Sequence, residues 1–569
     1  MTIDRRSLLK YAATLPAVGA TPYLAQAADD QPAEKPPEKA DYTLRIANGM
    51  VELAPDRIAS TTLYNGQFPG PLIRLTEGKR VVVDAHNDTD TPELLHWHGQ
   101  MIPSEVDGAA EEGTPFIPPH GMRRIAFVPK PSGFRFYHTH VAAGGDLNRS
   151  TYTGQAGPVY IEPVNNPGAY DREVFLVLKA FLPSFSQGGD MAMDFLAGAP
   201  IKQLQDIGKT ADDQFKGPKG YEVSYDLFGI NGKMLGHGEP ISVKQGDRVL
   251  FHVLNASAGE IRSLALPGHV FRIVALDGNP VPTQADVPVL WLGTAERISA
   301  IVEMKHPGVW IMGDLDDGDR GHGMGIVVEY AGAAAKPQWS RPKPFKWDYT
   351  VFGKPAATPA APDETIDITV VKHNGALNGF NQWLLNGVAF SMETMRPAYT
   401  LHEGRRYRFK VRNASDDIHP LHLHRHSFEL VRIGGKPTAG VIKDVVMLAD
   451  FRRPNSTSSP TIRDRHSSTA ISNCTWISAS WRCSITPDKA RRAARRIVHR
   501  ISLPRHRPDR WLYRYRGGGR RGGRVDLDLC SGDQAGGLRR LNRLRRRRAH
   551  CALMPASFMI GHHLSASAF

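Results

Sequence analysis

An internal repeat limits the fold of this chain more than any other feature. Each copy has an Asn-Gly turn (Asn65-Gly66, Asn231-Gly232, Asn386-Gly387), then a polar-Gly pair that opens an alternating strand. In every copy a final Asn follows the second Gly by nine positions, at Gly78 and Asn87, Gly246 and Asn255, and Gly404 and Asn413. Short strands between Gly, Pro, Asn and Asp turns are typical of β-sandwiches and barrels. Three copies therefore predict three related β-sandwich domains in an all-β chain.

The repeat and the shifts in composition divide the chain into segments. Strand-like runs begin at Tyr42, and the helix candidates are short segments such as Pro200 to Ile207. The predicted limits are a signal segment 1–27, a linker 28–41, domains 42–165, 166–335 and 360–453, and a basic tail 454–569.

Histidines are concentrated in three stretches of the chain. Two residues in a His-x-His pair lie on the same face of an extended strand and can share one cluster. Neutral imidazole binds copper, zinc, iron and nickel, so this pattern indicates a metal site. The candidate metal ligands are His96, His98, His138, His140, His419, His422 and His424.

The repeat aligns these histidines between domains. His96 and His98 follow Asn87 by nine and eleven residues, and His422 and His424 follow Asn413 by the same steps. In the middle copy the same steps from Asn255 lead to Leu264 and Leu266. We therefore expect a metal site shared between the first and third domains, with a middle domain that carries no ligands.

The net charge of +14 is concentrated at one end of the chain. From Pro454 to Phe569 there are 24 basic residues against six Asp and no Glu, so the rest of the chain is slightly acidic. All four cysteines, Cys474, Cys483, Cys530 and Cys551, also lie in this tail, so the domains have no disulfide framework. A charge confined to the tail gives no basis for a nucleic-acid partner of the folded domains.

The first residues predict export. Asp4-Arg5-Arg6-Ser7-Leu8-Leu9-Lys10 resembles a twin-arginine signal, and a weakly apolar run ends at the small-x-small site Ala25-Gln26-Ala27. The run is too short and interrupted for a membrane span, and no other segment is long and apolar enough to be one. We expect the twin-arginine export machinery as a partner and a periplasmic product.

These motifs together resemble the multicopper oxidases, specifically the laccase-like group with three cupredoxin domains of Greek-key topology. The resemblance covers roughly Tyr42 to Leu448, with Val106-Asp107-Gly108, Ile117-Pro118-Pro119 and Lys443-Asp444-Val445-Val446 as weaker matches. It implies four coppers in a complete member. The implied ligands are His96 and His422 for the type 2 copper, His98, His138, His140 and His424 for type 3 coppers, and His419 for the type 1 copper.

The resemblance also implies the reaction. Such enzymes take single electrons from phenolic or metal-ion donors and reduce O₂ to water. The family commonly has Gly where this chain has Arg425, which places a guanidinium near the site. His426 is expected to be structural.

The family's fourth motif, His-Cys-His, is absent where it should fall. Cys474 and Cys483 have no flanking histidine. Back-translation of the region from Asn455 with suitable codons, read one base earlier, gives a strand, an Asn-Pro-Gly turn and H-C-H-x-x-x-H. Our interpretation is that the tail is translated out of frame, with the slip between about Met447 and Pro454.

This interpretation sets the remaining expectations. The third domain should be incomplete, the tail disordered, and the chain as written inactive, with a partial copper set or none. The alternatives are a non-catalytic cupredoxin scaffold, disfavoured by seven retained ligands, and a copper-handling protein, disfavoured because the 15 methionines are scattered.

Overall fold

The computed structural model describes residues 38–143, 145–163, 169–187, 221–354, 358–377, 380–389, 399–415, 418–433, 436–448, 457–463 and 483–486. The proposed signal segment, most of the linker and the helix candidate Pro200 to Ile207 lie outside these residues. The described part of the chain is nearly all strand, so the predicted all-β fold is confirmed.

The first domain is a sandwich of two four-stranded sheets, β2-β1-β4-β6 and β3-β8-β7-β5. Leu44 and Ile46 alternate with exposed residues along the first strand and are buried in the core between the sheets, with Trp97 and Tyr137. Short helical turns cover Ser104–Asp107, Ala110–Glu112 and Ser150–Tyr152. The strands are β1 Tyr42–Ala54, β2 Arg57–Tyr64, β3 Ile73–Thr76, β4 Val81–Asn87, β5 Leu95–His98, β6 Gly121–Phe127, β7 Gly133–Thr139 and β8 Ala156–Glu162.

The second domain repeats this plan. Helical turns cover Asp317–Gly321 and, after the last strand, Tyr349–Phe352. The strands are β9 Arg172–Gln187, β10 Tyr221–Ile230, β11 Ile241–Val243, β12 Arg248–Asn255, β13 Arg262–Leu264, β14 Phe271–Leu276, β15 Asn279–Val287, β16 Leu290–Leu292, β17 Arg297–Glu303, β18 Val309–Gly313 and β19 Gly325–Tyr330.

The third domain joins the large sheet of the second through one parallel bridge, Tyr221 with Phe380. A single core includes residues of both domains, among them Phe251 and Phe409. The strands are β20 Glu364–Leu377, β21 Phe380–Leu385, β22 Val388–Ala389, β23 Tyr399–His402, β24 Arg406–Asn413, β25 His419–His422, β26 Phe428–Ile433, β27 Lys436–Lys443, β28 Val445–Leu448, β29 Thr457–Arg463 and β30 Cys483–Thr486.

The repeat has the same pairing in each domain. The first strand of each copy pairs antiparallel with the second and parallel with the strand that ends at the final Asn. The first Asn has a left-handed backbone, with φ of 51°, 52° and 48° at Asn65, Asn231 and Asn386. Asn tolerates this conformation better than most residues, which fits a two-residue hairpin turn.

The side chain of this first Asn fixes the turn to the neighbouring strand. Asn231 Oδ1 accepts from the Val177 backbone N at 2.8 Å, and its Nδ2 donates to Phe175 O at 2.9 Å. Asn65 and Asn386 make the same two kinds of bond. The sequence repeat therefore records a repeated hydrogen-bond pattern.

The final Asn of each copy directs the chain out of its strand. Asn87, Asn255 and Asn413 are fully buried, and each Oδ1 accepts from a backbone N–H two residues ahead. Such Asx turns satisfy buried backbone donors where a strand ends. The segment that follows each turn leads to the position that carries histidine in the outer domains.

Two segments of the tail form strands. β29 lies between β24 and β26, in the position that β17 has between β12 and β14, and β30 pairs parallel with β23, as β19 does with β11. The tail, expected to be disordered, therefore contributes these two strands to the third domain. Except at proline, main-chain hydrogen bonds do not depend on side-chain identity, and they fill an otherwise open ladder. Among the described residues of this domain, no strand takes the place of β7.

Candidate metal centre

Two adjacent strands of the first domain carry three of the predicted histidines, and a fourth lies just beyond them. β5 and β7 run antiparallel with His96 opposite His138. His96 and His98 point to one face, while Trp97 between them packs on Phe127, with ring centroids 4.8 Å apart. His140 lies one residue beyond the end of β7. The strand period therefore brings these imidazoles to one surface of the domain.

The third domain supplies the opposing histidines. His422 is the last residue of β25, and His424 lies in the turn that follows rather than on the strand. Both nevertheless face the first domain. His98 stacks on His422 with centroids 3.8 Å apart, and His96 stacks on His424 at 4.1 Å. The structure thus brings six of the seven predicted residues into one cluster between the first and third domains.

His419, the seventh, lies apart from this cluster. It begins β25 and stacks on Trp383 with centroids 4.5 Å apart. Its Nε2 is buried and makes no hydrogen bond to any described residue. Burial lowers the pKa of His419 to about 4, so the ring is neutral near pH 7.

Backbone carbonyls set the orientation of several cluster imidazoles. The Nδ1 atoms of His96, His138 and His422 lie 2.7, 2.7 and 2.8 Å from the carbonyls of Asp107, Thr139 and Asp444. A carbonyl only accepts, so each Nδ1 carries the proton, and Nε2 keeps its lone pair. Such outer partners fix the tautomer that a metal ligand needs.

The cluster fits a metal ion in both charge and geometry. Burial lowers the pKa of His98, His138 and His424 well below the ordinary value, that of His140 to about 3, and that of His422 to about 4. Neutral imidazole is the form that binds copper. His96 Nε2 is buried with no hydrogen bond to any described residue. Donor atoms of two overlapping triads lie within 4.8 Å of one another: His96, His98 and His422, and His96, Asp107 and His424.

A buried ionic network beside the cluster joins all three domains. Asp444 accepts from both terminal nitrogens of Arg297 at 2.6 Å and from Arg135 Nη1 at 3.1 Å. Lys443 Nζ lies 3.0 Å from Asp277 and 3.1 Å from Glu296. Asp444 connects this network to the cluster, because its Oδ1 lies 3.3 Å from His98 Nε2 and its carbonyl lies 2.8 Å from His422 Nδ1.

The sequence reasoning did not identify this network. Lys443-Asp444 was noted only as a weak motif match, and Arg135, Asp277 and Arg297 were not singled out. An arginine inside the buried β7 pattern was the available signal, because a buried guanidinium requires acceptors.

The middle domain places apolar residues where the outer domains have histidine. Leu264 and Leu266, nine and eleven residues past Asn255, are both buried. Neither side chain can bind copper, as the aligned repeat predicts.

Lys179 is a buried amine near the cluster. Its Nζ donates to the carbonyls of Thr151 and Ala256, which belong to the first and second domains. Burial lowers the pKa of Lys179 to about 7. Lys179 and His138 line the same small cavity between the domains.

In the part of the chain that the structure describes, we found no helix long and apolar enough to cross a membrane.

Comparison with known proteins agrees with this architecture. Family descriptions of multicopper oxidase match residues 46–166, 202–330 and 358–454. The chain is 30% identical over 402 residues to the multicopper oxidase MmcO of Mycobacterium tuberculosis (strain ATCC 25618 / H37Rv), covering 69% of this chain and 76% of the relative. It is 23% identical over 496 residues to Laccase-3 of Thanatephorus cucumeris, covering 70% and 82%. The crystal structure of a multi-copper oxidase from Pseudomonas thermotolerans has a TM-score of 0.55 at 20% identity, covering 79% of this chain and all of that one.

Cupredoxin-type sandwiches with a histidine cluster between the first and third define a copper oxidoreductase. The chain belongs to the multicopper oxidase family and is laccase-like. Such proteins use copper, draw electrons from a donor and take O₂ as the acceptor.

Proposed function

We propose that His96 and His422 hold a type 2 copper, that His98, His138, His140 and His424 hold type 3 coppers, and that His419 is a type 1 ligand. The observation that carries this proposal is the contact between His-x-His motifs of two domains, with His98 stacked on His422 at 3.8 Å. Phenolic or metal-ion donors are the substrates we propose. Bound copper would relay their single electrons to O₂, which needs four electrons and four protons to become two waters.

The chain's own residues would prepare the site before any metal arrives. Carbonyls of Asp107 and Asp444 hold His96 and His422 with Nε2 available, so little reorganisation is needed on binding. Five of the six cluster histidines, all except His140, are almost completely buried, which excludes bulk water from their imidazoles. Asp107 Oδ2 accepts from His424 Nδ1 at 2.8 Å and orients that ring.

We propose further that the chain as written does not turn over. None of its four cysteines stands between two histidines, so the thiolate that a type 1 copper requires is missing from its expected place. Donor electrons would then have no entry route, even where the cluster histidines bind copper.

Copper content and spectroscopy test these proposals together. Purified chain should hold fewer than four coppers, show no blue thiolate absorption and consume no O₂ with a phenolic donor. Restoring H-C-H-x-x-x-H by the one-base shift should produce the blue band and O₂ consumption. His96→Ala should lower the copper content of both forms. Four coppers or a blue band in the chain as written would contradict the inactivity.

We also propose export to the periplasm by the twin-arginine route, supported by Arg5-Arg6 and the small-x-small site at Ala25-Gln26-Ala27. Residues 1–40 fused to a reporter should direct it to the periplasm. Arg5→Lys with Arg6→Lys should hold it inside the cell. Unchanged export of the double variant would refute the route.

A further inference from the structure

Arg425 has an unusual conformation for its size. It lies in the turn after His424 with φ of +59°, in the left-handed region that long side chains rarely adopt. Its side chain is 4% exposed. A strained backbone and a buried guanidinium each cost free energy, so the surrounding structure must hold this residue in place.

The partner of Arg425 comes from the first domain. Its Nε donates to Glu112 Oε2 at 2.8 Å, and Glu112 is completely buried in the helical turn Ala110–Glu112. Burial raises the pKa of the Glu112 carboxyl well above its ordinary value, and the guanidinium opposes that rise. Arg425 therefore favours the ionised form of the Glu112 carboxyl.

The pair lies between cluster residues of the two domains. Just before Glu112, Glu111 Oε1 is 3.7 Å from His140 Nδ1, and Asp107 Oδ2 accepts from His424 at 2.8 Å. Just before Arg425 is His424, whose ring lies 4.7 Å from that of His140. One short loop of the first domain thus contacts two cluster histidines and the Arg425 side chain.

We propose that Arg425 and Glu112 are positioning residues that hold His424 against His140, and so set the copper affinity of the boundary between the first and third domains. The inference rests on the proposed copper site. Neither residue binds the metal; each acts through the loop that carries the ligand. Glycine would adopt the same backbone without strain, but it would give up the link to the first domain.

Four variants of the full-length chain test this role. Arg425→Gly removes both the link and the strain, Arg425→Lys keeps the charge without the planar fork, and Glu112→Gln removes the acceptor charge. Glu112→Arg with Arg425→Glu exchanges the charges. The matched control is Arg262→Met in the middle domain, where Arg262 is fully buried and pairs with Asp319 far from the cluster in sequence.

The measurements are Cu(II) affinity by chelator competition, the Cu(II) EPR spectrum, and the melting temperature without copper. We expect Arg425→Gly and Glu112→Gln to weaken copper binding about 10- to 100-fold and to change the EPR spectrum. The charge exchange should recover part of the affinity. Arg262→Met should lower the melting temperature and leave copper affinity unchanged.

Two failures are distinguishable. If His96→Ala weakens copper binding but Arg425→Gly and Glu112→Gln remain within twofold of the parent, the positioning role is wrong and the copper site stands. If the parent binds no copper, or His96→Ala has no effect, the proposed copper site and this inference both fall. Should Arg425→Gly fail to fold, Glu112→Gln breaks the same ion pair from the other side and provides the comparison.

Discussion

His252 shows how one buried residue couples stability to pH. Its ring stacks on Phe175 with centroids 4.7 Å apart, and its Nδ1 lies 2.8 Å from Ser299 Oγ. Burial, with a smaller contribution from the positive charge of Arg74, lowers the pKa of His252 to about 3. In the folded state His252 therefore stays neutral at pH values where the same imidazole in the unfolded chain is protonated.

We predict that His252→Phe reduces the acid sensitivity of the metal-free protein. Neutral His252 stabilises the folded state fully above about pH 6.5, and this stabilisation is lost as the pH falls toward 3. The loss amounts to about 2 kcal/mol at pH 5. The drop in unfolding free energy from pH 7 to pH 5, measured with urea, should be smaller by that amount in the variant. The exposed His237→Phe should behave like the parent; an equal drop in both variants would contradict this account.

Asp444 is the carboxylate on which the buried network depends. Asp444→Asn removes the charge that faces Arg135 and Arg297, both fully buried. An unpaired buried guanidinium is costly, so we predict a loss of about 3–5 kcal/mol in urea unfolding. The control Asp286→Asn breaks an exposed pair with Arg272 and should cost less than about 1 kcal/mol. Similar losses of unfolding free energy in the two variants would mean that the buried network does not account for the effect of Asp444→Asn.

The histidines were predictable from sequence because a strand repeats every two residues and ligands must share a face. Asp444 and Arg297 were not, since 147 residues separate them and no local spacing relates the two. Arg425 was noticed only as a departure from the family. Its partner Glu112 depends on how two domains dock, which no periodic pattern records.

At the scale of elements, the Asn-Gly turn is the unit that the repeat conserves. Asn231→Ala removes the two hydrogen bonds between the side chain and the backbone. It also leaves alanine in the left-handed conformation, at φ of 52°, without the hydrogen bonds that stabilise asparagine there. We predict a loss of about 2–3 kcal/mol in the unfolding free energy, from about 1 kcal/mol for each bond and the strained backbone.

Asn231→Gly separates these two causes. It keeps the left-handed backbone and loses only the hydrogen bonds, so it should be more stable than Asn231→Ala by about 1 kcal/mol. Asn65→Ala should be as damaging in the first domain. Harmless substitution at both positions would show that the turn sequence is incidental.

The strand plan itself followed from the repeat, since all three domains share the pairing of their first strands. The positions of β29 and β30 could not be predicted, because their residues have no alternating pattern. Pro460 even lies within β29, opposite Leu430. Proline lacks the N–H that an inner strand donates. Main-chain pairing with β24 and β26 therefore places β29 in the sheet despite this proline.

At the scale of the whole molecule, copper should couple the first and third domains. A ligand that binds only the folded state stabilises it, by about 2.7 kcal/mol at 100 times its dissociation constant. We predict this gain for Cu(II) in chemical unfolding, its loss on chelation, and its loss in His422→Ala. His252→Phe should retain the gain. Equal stabilisation of the His422→Ala variant would place the copper elsewhere.

The division of the histidine cluster between distant parts of the chain also has a consequence in time. His98 is made early and His422 roughly 300 residues later, which a ribosome needs on the order of 15 to 60 s to synthesise. During that interval the four cluster histidines of the first domain are accessible, because the third-domain histidines that cover them have not yet been made. Any metal captured then would meet half a site, so correct loading has to wait until the third domain has docked.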